Sequence, residues 1–569
     1  MKKTLGCIAL LVSASLFAAE EKVSLSVSGL AATLDNGLVK FVFGADASAK
    51  SVIKNGVNLV ENLSGAGRDP SRIRSFYLDY HSRGVTHFNP EALKVIEDTG
   101  ERAHIAWTEK NGKIYLEYHL VMTKGESGLY SYVIARNTTD KEVLVSELRT
   151  IYRFNSALMN HLYTANGIST PQLYGDLEKM PLVQDETWKL PDGKVYSKYD
   201  LVDYQRKNEF WGSFGGGYGA WFIPVNHDYF SGGPLKQDLM VHQDAIILNY
   251  MTGAHMGTPD MMAQPGWEKL YGPWQLYVNQ GKDEAVIADA REHAKLQKAK
   301  WPFNWVSEKL YPLQRGEISG RINGRSGEIL NVVVSPVRGD PELQTKGYLY
   351  HAQTDANGKF SISTIRPGSY ALTVYSQNGI EQGNLYQKEL VVQASKTDLG
   401  DIGLPAKGTY LWHIGMADRT AGEFKLAGQP RNYEWQTKTP ETLDYKIGSN
   451  KAGDWFYAQT KFGDWNIHFD EKDIKSPRRL NIAFSSASSS GMTKPSAPQM
   501  IVLVNGKQIA NINYANDKTI YRGALQNGLY HNESIDIPAE HLKVGANVVT
   551  LRNQGGAFMY DAINWEAVN

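Results

Sequence analysis

Cysteine is almost absent from this sequence, because Cys7 is the only one among 569 residues. A chain with a single cysteine forms no internal disulfide and offers no cysteine-based zinc site. The chain also has no excess of either charge, since 60 Lys and Arg balance 60 Asp and Glu. This balance argues against nucleic-acid binding through a basic surface. Such a chain must be stabilised by core burial, as large β-domains are.

Long apolar runs are also missing, apart from one near the amino end. A short basic start precedes an apolar segment at residues 5–17, and Ala18-Ala19 lead from it into charged residues. This pattern predicts a secretory signal peptide over residues 1–19, because the segment is too short for a stable membrane anchor. Cys7 lies at the start of the segment rather than after it, which argues against a lipoprotein site. We therefore expect a secreted protein, extracellular or periplasmic, with no membrane span.

Helical periodicity is scarce along the chain. Short alternating or apolar runs, such as residues 38–43 and 114–121, are separated by Gly, Asn and Asp turns and predict β-strands. The exception is residues 283–300, where spaced alanines and many charges predict one surface helix that Trp301-Pro302 ends. The fold class that follows is all-β.

A chain of this length divides into several domains, since single cores usually stop growing near about 250–300 residues. After the signal peptide, the strand pattern predicts one large all-β domain at 20–311, which the helix closes. Residues 312–404 predict a small seven-stranded sandwich without obvious chemistry. Residues 405–569 predict a jelly roll, a shape common among sugar-binding modules.

Several reaction classes lack their sequence signatures. The histidines are scattered over predicted strands and loops rather than spaced for zinc on one helix. No serine sits in a nucleophile elbow. The glycine run at 215–219 lacks the Lys-Ser/Thr of a phosphate loop and predicts a tight β-turn instead. A glycoside hydrolase stays open, because it needs two carboxylates. The candidates for that pair are Asp200, Asp203, Asp228 and Asp238.

A different chemistry is indicated by a lysine and a histidine that are 57 positions apart, Lys198 and His255. The run between them is rich in Gly, Trp, Tyr and Phe, which suits a groove for a sugar chain. β-Elimination from a uronic acid needs a base, an acid and a positive group that neutralises the carboxylate. Arg149 and Arg153 are four apart in a predicted strand, so both guanidinium groups should lie on one face and bind a carboxylate.

The candidate residues also occur within an ordered set of short motifs. The motifs are Arg149-x-x-x-Arg153, Ser197-Lys198-Tyr199-Asp200, Gly233-Pro234-Leu235-Lys236-Gln237-Asp238, Tyr250-x-x-x-x-His255 and Trp267-Glu268-Lys269-x-Tyr271-Gly272-Pro273. As an ordered set they resemble the rhamnogalacturonan lyases of polysaccharide lyase family four. The resemblance spans the mature chain and implies a large β-sandwich, a fibronectin-type-III-like middle domain and a carbohydrate-binding-module-like jelly roll.

The resemblance also implies roles for individual residues. Lys198 falls where the family has its catalytic base, and His255 where it has the proton donor. Tyr250 falls on a substrate-contacting tyrosine, and Arg149 and Arg153 fall on arginines that line the cleft. The implied reaction cleaves the rhamnose-α-1,4-galacturonate bond of rhamnogalacturonan I and leaves an unsaturated uronate at the new non-reducing end.

The expected cofactor and partner follow from the same resemblance. No cofactor or metal is required for catalysis, although oxygen ligands in residues 405–569 can supply a structural calcium site. The expected partner is the polysaccharide rhamnogalacturonan I, with no nucleic acid and no membrane, and the chain is expected to be a monomer. A lysine base must lose its proton near the working pH, so we also expect an alkaline optimum.

Each candidate residue has a structural alternative. Lys198 can be a turn lysine paired with Asp200, and His255 can be a buried core histidine, which leaves His242 as a rival proton donor. Tyr250 can fill a core, and the arginine pair can be a solvated strand face. The aromatic residues at 267–274 are expected in the core. For the whole protein, a pectin glycoside hydrolase and a non-catalytic carbohydrate-binding or surface protein remain the alternatives.

Overall fold

A computed structural model of the protein describes residues 22–63, 73–253, 255–428, 433–491 and 495–568. The predicted signal peptide, with its cysteine, lies outside the described residues. Regular structure in the described ranges is overwhelmingly β and is distributed over several sheets, so the predicted all-β, multidomain class is confirmed. Within these ranges, no helix combines the length and the apolar character needed to cross a bilayer.

The first domain contains strands β1 to β26 and both α-helices. The strands are β1 (Ser24–Ser28), β2 (Ala31–Asp35), β3 (Lys40–Phe43), β4 (Ala49–Lys54), β5 (Val57–Asn58), β6 (Tyr77–His81), β7 (Val85–His87), β8 (Ala92–Asp98), β9 (Arg102–Glu109), β10 (Tyr115–Thr123), β11 (Gly128–Arg136), β12 (Val143–Val145), β13 (Glu147–Tyr152), β14 (His161–Thr164), β15 (Gly167–Ser169), β16 (Leu182–Gln184), β17 (Thr187–Lys189), β18 (Val195–Ser197), β19 (Val202–Tyr204), β20 (Trp211–Gly215), β21 (Tyr218–Ile223), β22 (Gln237–Leu239), β23 (Val241–His242), β24 (Ile246–Gly253), β25 (Met261–Ala263) and β26 (Glu268–Gln280). The helices are α1 (Tyr174–Leu177) and α2 (Glu284–Lys300).

A nine-stranded sheet forms the centre of the first domain, in the order β15-β14-β20-β21-β26-β11-β10-β9-β8. Two five-stranded sheets belong to the same core, one with β1 to β5 in chain order and one in the order β23-β24-β13-β6-β7. Side chains from all three sheets fill that core, among them Phe41, Tyr80, Trp107 and Trp274. This burial takes the place of disulfide bonds in stabilising the domain.

The predicted surface helix is confirmed as α2. Its Val286, Ala290 and Ala294 are buried against the other face of the nine-stranded sheet, beside Tyr130 and Trp221. The helix ends directly before the Trp-Pro pair, because proline disfavours the helical conformation in the residue that precedes it.

The glycine run between β20 and β21 forms the predicted tight turn. Gly215, Gly216 and Gly217 all have positive φ, at 147°, 57° and 85°. A Cβ on Gly216 would collide with the side chain of Leu158. Glycine is therefore required here by both backbone conformation and space.

The sheet β23-β24-β13-β6-β7 carries the candidate site on its outer face. Successive residues of a strand point to opposite faces. Leu148 and Tyr152 of β13 therefore enter the main core. Ile151 faces the other way and packs with Tyr77 and Tyr250 of the neighbouring strands. The polar residues at alternate positions share that outer face.

The middle domain contains seven described strands in two sheets. They are β27 (Gly316–Asn323), β28 (Leu330–Ser335), β29 (Tyr350–Gln353), β30 (Lys359–Ile365), β31 (Gly368–Ser376), β32 (Tyr386–Val392) and β33 (Lys396–Gly403). The sheets run β30-β27-β33 and β29-β28-β31-β32, and their inner faces form one core that includes Ile318, Val332 and Val374. The arrangement is a small sandwich.

The third domain is a second sandwich, built from two five-stranded sheets. Its strands are β34 (Thr409–Gly415), β35 (Leu443–Lys446), β36 (Ala458–Gln459), β37 (Gly463–Glu471), β38 (Arg478–Ser488), β39 (Gln499–Val504), β40 (Lys507–Asn513), β41 (His531–Ile537), β42 (Gly545–Gly555) and β43 (Ala557–Ala567). One sheet runs β34-β43-β38-β41 with β36 paired to β43, and the other runs β35-β37-β42-β39-β40.

The connection between β40 and β41 reaches back to the first domain. The Gln184 side chain donates to the Tyr521 carbonyl oxygen at 2.6 Å. Leu525 N donates to Gln237 Oε1 at 2.7 Å. Ala524 and Leu525 are buried in one cluster with Tyr250 and other residues of the outer sheet face. The third domain therefore covers the face on which the candidate residues lie.

Candidate active site

Arg149 lies at the centre of the outer sheet face, between partners on the two adjacent strands. Asp79 of β6 and Tyr250 of β24 are its register partners. Its Nε is 2.7 Å from Asp79 Oδ1, and its Nη1 donates to the Tyr250 hydroxyl at 2.8 Å. The next row of the sheet pairs Glu147 with His81. Cross-strand register therefore builds this polar network from three strands.

The guanidinium group of Arg149 is saturated by protein contacts. A second nitrogen, Nη2, is 3.2 Å from Asp79 Oδ2, and Nη1 is 3.2 Å from Glu147 Oε2. Burial alone would lower the pKa of Arg149, but Asp79, Tyr250 and Glu147 outweigh it and raise the pKa well above its ordinary value. The charge is permanent, and the arginine is fixed in place.

Arg153 shares this face, as the spacing predicts, but it is held differently. It follows the last residue of β13, is 7% exposed, and its Nη2 donates to the Tyr77 hydroxyl at 3.2 Å. Its Nε and Nη1 have no hydrogen-bond partner among the described residues. Both nitrogens are buried, so Arg153 carries a guanidinium group whose donors are unsatisfied by the described residues but closed to solvent.

Lys198 opens a 3-10 turn, Lys198–Leu201, that directly follows β18. The Ser197 side chain caps this turn by accepting from Tyr199 N at 3.3 Å. The lysine Nζ is 3.9 Å from Glu186 Oε1. Asp200, which the sequence offered as an ion-pair partner, instead accepts a hydrogen bond from Tyr433 N at 3.0 Å.

The environment of Lys198 favours loss of its proton. Burial lowers the pKa of its amine below the ordinary value, and the positive charges of Arg149 and Arg522 act in the same direction. Glu186 and Asp185 oppose the shift, because a negative neighbour stabilises the ammonium form. The net direction is the one a lysine base requires.

His255 has a carboxylate oxygen near each ring nitrogen. Nε2 is 3.3 Å from Glu147 Oε1, and Nδ1 is 3.4 Å from Asp238 Oδ1. The ring also meets Tyr250 edge-to-face, with centroids 5.0 Å apart. Both distances are within ion-pair range, but Nδ1 makes no hydrogen bond among the described residues. His255 is buried, but its polar contacts distinguish it from a core histidine.

Asp238 is itself held by a buried lysine. Lys236 Nζ is 3.2 Å from Asp238 Oδ2 and donates to the Gly253 carbonyl oxygen at 2.6 Å. Both side chains are almost completely buried. Burial would raise the pKa of Asp238, but Lys236 and His255 lower it, so the group is a carboxylate. Lys236 and Asp238 form a second layer behind the imidazole.

The structure brings Lys198 and His255 to one aromatic ring. Lys198 Nζ is 5.2 Å from the centroid of the Tyr199 ring, and the His255 ring centroid is 6.3 Å from it. The Tyr199 hydroxyl donates to Asp185 at 2.6 Å, which fixes the ring. The two predicted groups therefore meet in one region of the protein.

Arg522 is a site residue that the sequence did not reveal. It comes from the third domain, its Nη2 is 3.0 Å from Asp185 Oδ2, and its Cζ is 5.1 Å from the Tyr199 ring centroid. Its Nη1 donates to the His255 carbonyl oxygen at 3.3 Å. Nothing in its sequence context links it to residues more than 250 positions away.

Glu147, Asp79 and Asp238 were also missed as parts of this site. Glu147 is two residues before Arg149 in a predicted strand, so the period of two could have placed it on the same face. Asp238 was considered as a hydrolase carboxylate, without its link to His255. Asp79 has no local signal, because only the pairing of β6 with β13 brings it to Arg149.

The remaining candidates have structural contacts. His242, the rival proton donor, has its Nδ1 3.2 Å from the Gln243 carbonyl oxygen. Tyr271 and Trp274 are fully buried in the main core, as predicted, and Trp267 packs against that core. Tyr250 is 3% exposed, and its contacts hold Arg149 and His255.

The described part of the chain contains no group of three or more His, Cys, Asp or Glu residues arranged to hold a metal ion. The structure therefore assigns no ligand set to the calcium expected in residues 405–569, and that expectation stays a prediction.

Two family models match the middle and third domains. The model described as polysaccharide lyase family 4, domain II, matches residues 314–399, and the model for domain III of the same family matches residues 410–565. The chain is 50% identical over 544 residues to a rhamnogalacturonate lyase from Dickeya dadantii, covering 95% of this chain and 94% of that relative.

One relative and one solved structure match this chain at lower identity. Rhamnogalacturonate lyase B from Emericella nidulans is 29% identical over 462 residues, covering 69% of each chain. A galactose mutarotase-like protein of known structure from Lactobacillus casei superposes with a TM-score of 0.29 at 9% identity, over 44% of this chain and 100% of that one. The latter likeness is too weak to bear on fold or function.

Proposed function

Since the chain belongs to polysaccharide lyase family 4, we propose that it is a secreted rhamnogalacturonan endolyase. It cleaves the rhamnose-α-1,4-galacturonate bond of rhamnogalacturonan I by β-elimination. The observation that supports this reaction best is the approach of Lys198 and His255 to the Tyr199 ring, within a group of arginines. A base, an acid and positive charge are the three components that elimination from a uronate requires.

Lys198 is the proposed base. In the reaction its neutral amine removes the proton on C5 of galacturonate, the carbon beside the carboxylate. The electron pair of that C–H bond forms the C4–C5 double bond, and the C4–O bond to rhamnose breaks. Burial and the neighbouring arginines lower the pKa of Lys198, which raises the fraction of neutral amine at moderately alkaline pH.

His255 is the proposed acid. It delivers a proton to the rhamnose oxygen as the C4–O bond breaks, so that the leaving group departs as an alcohol. Glu147 and Asp238 lie 3.3 Å and 3.4 Å from its two nitrogens. They hold the ring between two carboxylates before the transfer.

Positive charge must neutralise the uronate, because proton removal places further negative charge beside an existing carboxylate. Arg153 is the proposed carboxylate ligand, since two of its nitrogens lack hydrogen-bond partners among the described residues; both are buried, so binding requires the side chain to turn toward the substrate. Arg149 is engaged by Asp79 and Glu147, so its proposed contribution to the cleft is a fixed charge. Arg522 adds a third guanidinium group from the third domain.

Tyr250 is proposed to orient two of these groups as well as to contact the substrate. Its hydroxyl accepts from Arg149 and its ring edge meets His255. Because the side chain is 3% exposed, any contact with sugar would be made by a small part of the ring. Its main proposed role is then to hold the side chains of Arg149 and His255 in place relative to each other.

The test is turnover of Lys198→Ala and His255→Ala on a deacetylated rhamnogalacturonan backbone. The conjugated unsaturated uronate absorbs in the ultraviolet, so its appearance reports elimination directly, and product masses identify the cleaved bond. Each variant should lose at least about 10²-fold in turnover, the usual scale for removing an acid or a base. Near-normal turnover in either variant would remove the role assigned to that residue.

Two controls separate this reaction from its rivals. Hydrolysis produces no unsaturated uronate, so shorter chains without absorbance would identify a pectin hydrolase. Binding of the polysaccharide with no turnover would identify a non-catalytic carbohydrate-binding protein. Homogalacturonan serves as the substrate control and should not be cleaved, because it lacks the rhamnose-galacturonate bond.

Export and a monomeric state complete the proposal. The sequence pattern at residues 1–19 supports removal of a signal peptide. Mass spectrometry of the mature chain locates the cleavage site, and size-exclusion chromatography with light scattering measures the molecular mass in solution. A mature mass near that of the intact chain would contradict export through this peptide.

A further inference from the structure

The loop of residues 232–236, here called the clamp loop, leads directly into the layer behind His255. Its last residue, Lys236, binds Asp238, and Asp238 lies 3.4 Å from His255 Nδ1. The clamp loop has no regular secondary structure, so its conformation depends on the groups that contact it. Those groups come from all three domains.

The middle domain supplies the most direct contact. Glu342 is 6% exposed, and its two carboxyl oxygens lie 3.3 Å and 3.2 Å from Leu235 N, which donates to them. A Cβ on Gly233 would collide with this carboxyl group. Residue 233 is therefore a glycine that allows Glu342 to reach the backbone of the clamp loop.

Further contacts hold the clamp loop from both sides. Gln344 of the middle domain donates through Nε2 to the Gly232 carbonyl oxygen at 2.5 Å, and Gly232 N donates to the Gln344 carbonyl oxygen at 2.8 Å. On the opposite side, Asn527 of the third domain donates to the Leu235 carbonyl oxygen at 3.1 Å. The loop is thus fixed between two domains that hold no proposed base or acid.

We propose that Glu342 is a positioning residue for the elimination reaction, acting through the clamp loop to keep Asp238 against His255. The middle domain, whose sequence shows no obvious chemistry, then contributes to catalysis without touching the substrate. The proposal depends on the function proposed above, because it gives Glu342 a role in positioning His255, the residue proposed to protonate the leaving group.

This role requires a side chain at residue 342 that is long enough to reach Leu235 N, and it does not require a negative charge. Its contact is with a backbone N–H, which needs an acceptor at the right distance and not a negative charge. Burial raises the pKa of Glu342 to about 7, and Asp340 adds to the effect, so the protonated form is accessible near neutral pH. Glutamine keeps both the length and an acceptor, whereas aspartate keeps the charge and shortens the reach.

Glu342→Gln and Glu342→Asp therefore separate the two explanations. We expect Glu342→Asp to lower kcat about tenfold, the scale of a small misplacement of a reacting group, with KM changed less than about twofold. Glu342→Gln should keep kcat within about twofold of the native protein, since it can still accept from Leu235 N. Glu328→Asp is the matched control, because Glu328 is in the same domain but pairs with Lys407, and its kcat should not change.

Folding and coupling are measured on the same variants. Circular dichroism and thermal unfolding, followed below the onset of melting, show whether each protein is folded during the assay. In a double-mutant cycle, Glu342→Asp should add little to Asp238→Asn if it acts through Asp238, whereas independent effects would multiply.

The outcomes distinguish this inference from the function on which it rests. Unchanged kcat in folded Glu342→Asp, equal losses in the Gln and Asp variants, or multiplying effects in the cycle would each overturn the positioning role. If His255→Ala is inactive while Glu342→Asp is normal, this inference alone fails. If His255→Ala retains turnover, the assignment of the acid fails first.

Discussion

Replacing Glu186 by glutamine should move the acid limb of the pH–rate profile to lower pH. The rate of a reaction with a lysine base rises as pH passes through the pKa of that base. Glu186 lies 3.9 Å from Lys198 Nζ and raises the pKa of the lysine, opposing burial. Without its negative charge the ammonium form is less stable, so Lys198 loses its proton at lower pH.

The size of the shift follows from the separation of the two charges. At 3.9 Å the attraction is worth about 1 kcal/mol in water and about 4 kcal/mol at an effective dielectric constant of 20. The side chains of Lys198 and Glu186 are 16% and 24% exposed, so we take the lower half of that range. That half is about 1 to 2.5 kcal/mol, and one pKa unit corresponds to about 1.4 kcal/mol, which gives an expected shift of about 0.7 to 1.8 pH units.

The measurement is initial rate against pH, followed by absorbance of the unsaturated product, for the native protein and Glu186→Gln. Gln243 donates to Glu186 Oε2 at 2.9 Å, and glutamine can keep this bond, so the geometry is retained. Asp192→Asn is the matched control, because Asp192 pairs with the exposed Lys194 in a nearby turn. An unmoved limb, a shift to higher pH, or an equal shift in the control would refute Lys198 as the base.

Three further predictions test other parts of the structure. Arg522→Ala should shift the acid limb to higher pH and lower kcat/KM about tenfold or more, since the Arg522 charge lowers the pKa of Lys198; a pH–rate profile checks both. Gly216→Ala should cost about 1–2 kcal/mol of stability because φ is 57° there, which thermal unfolding will detect. Glu471→Ala should cost about 3–5 kcal/mol by removing the nearer carboxylate of the buried Arg478 and leaving it only Asp473, 3.9 Å away; its melting temperature should fall while kcat of the folded protein stays normal.

The fold was accessible from the sequence because its signals are local. The strand predicted at 114–121 corresponds to β10 (Tyr115–Thr123), and the helix predicted at 283–300 to α2 (Glu284–Lys300). The glycine run became a turn because three consecutive positive φ angles exclude other residues. Sheet order was not accessible, since the pairing of β6 with β13 joins segments about 70 residues apart without a sequence signal.

The candidate site was accessible only in part, for a related reason. The period of two in β13 places Arg149 and Arg153 on one face, and the ordered motifs identify Lys198 and His255. The partners that orient these groups are fixed by tertiary contacts: Asp79 by strand pairing and Arg522 by domain packing. A sequence pattern indicates which face of a strand a side chain takes, but not which residues of other strands or domains contact it there.

The contacts around His255 explain why this chemistry is distributed over three domains. The first domain holds Lys198 and the imidazole, but the third domain supplies Arg522, which binds both Asp185 and the His255 backbone. The middle domain supplies Glu342, which fixes the loop leading to Asp238. A sheet face alone leaves loops free to move, and a displacement of about 1 Å can cost about 10²-fold in rate. Contacts from two other domains restrict that motion, so under the proposed function domain packing helps to hold the catalytic geometry.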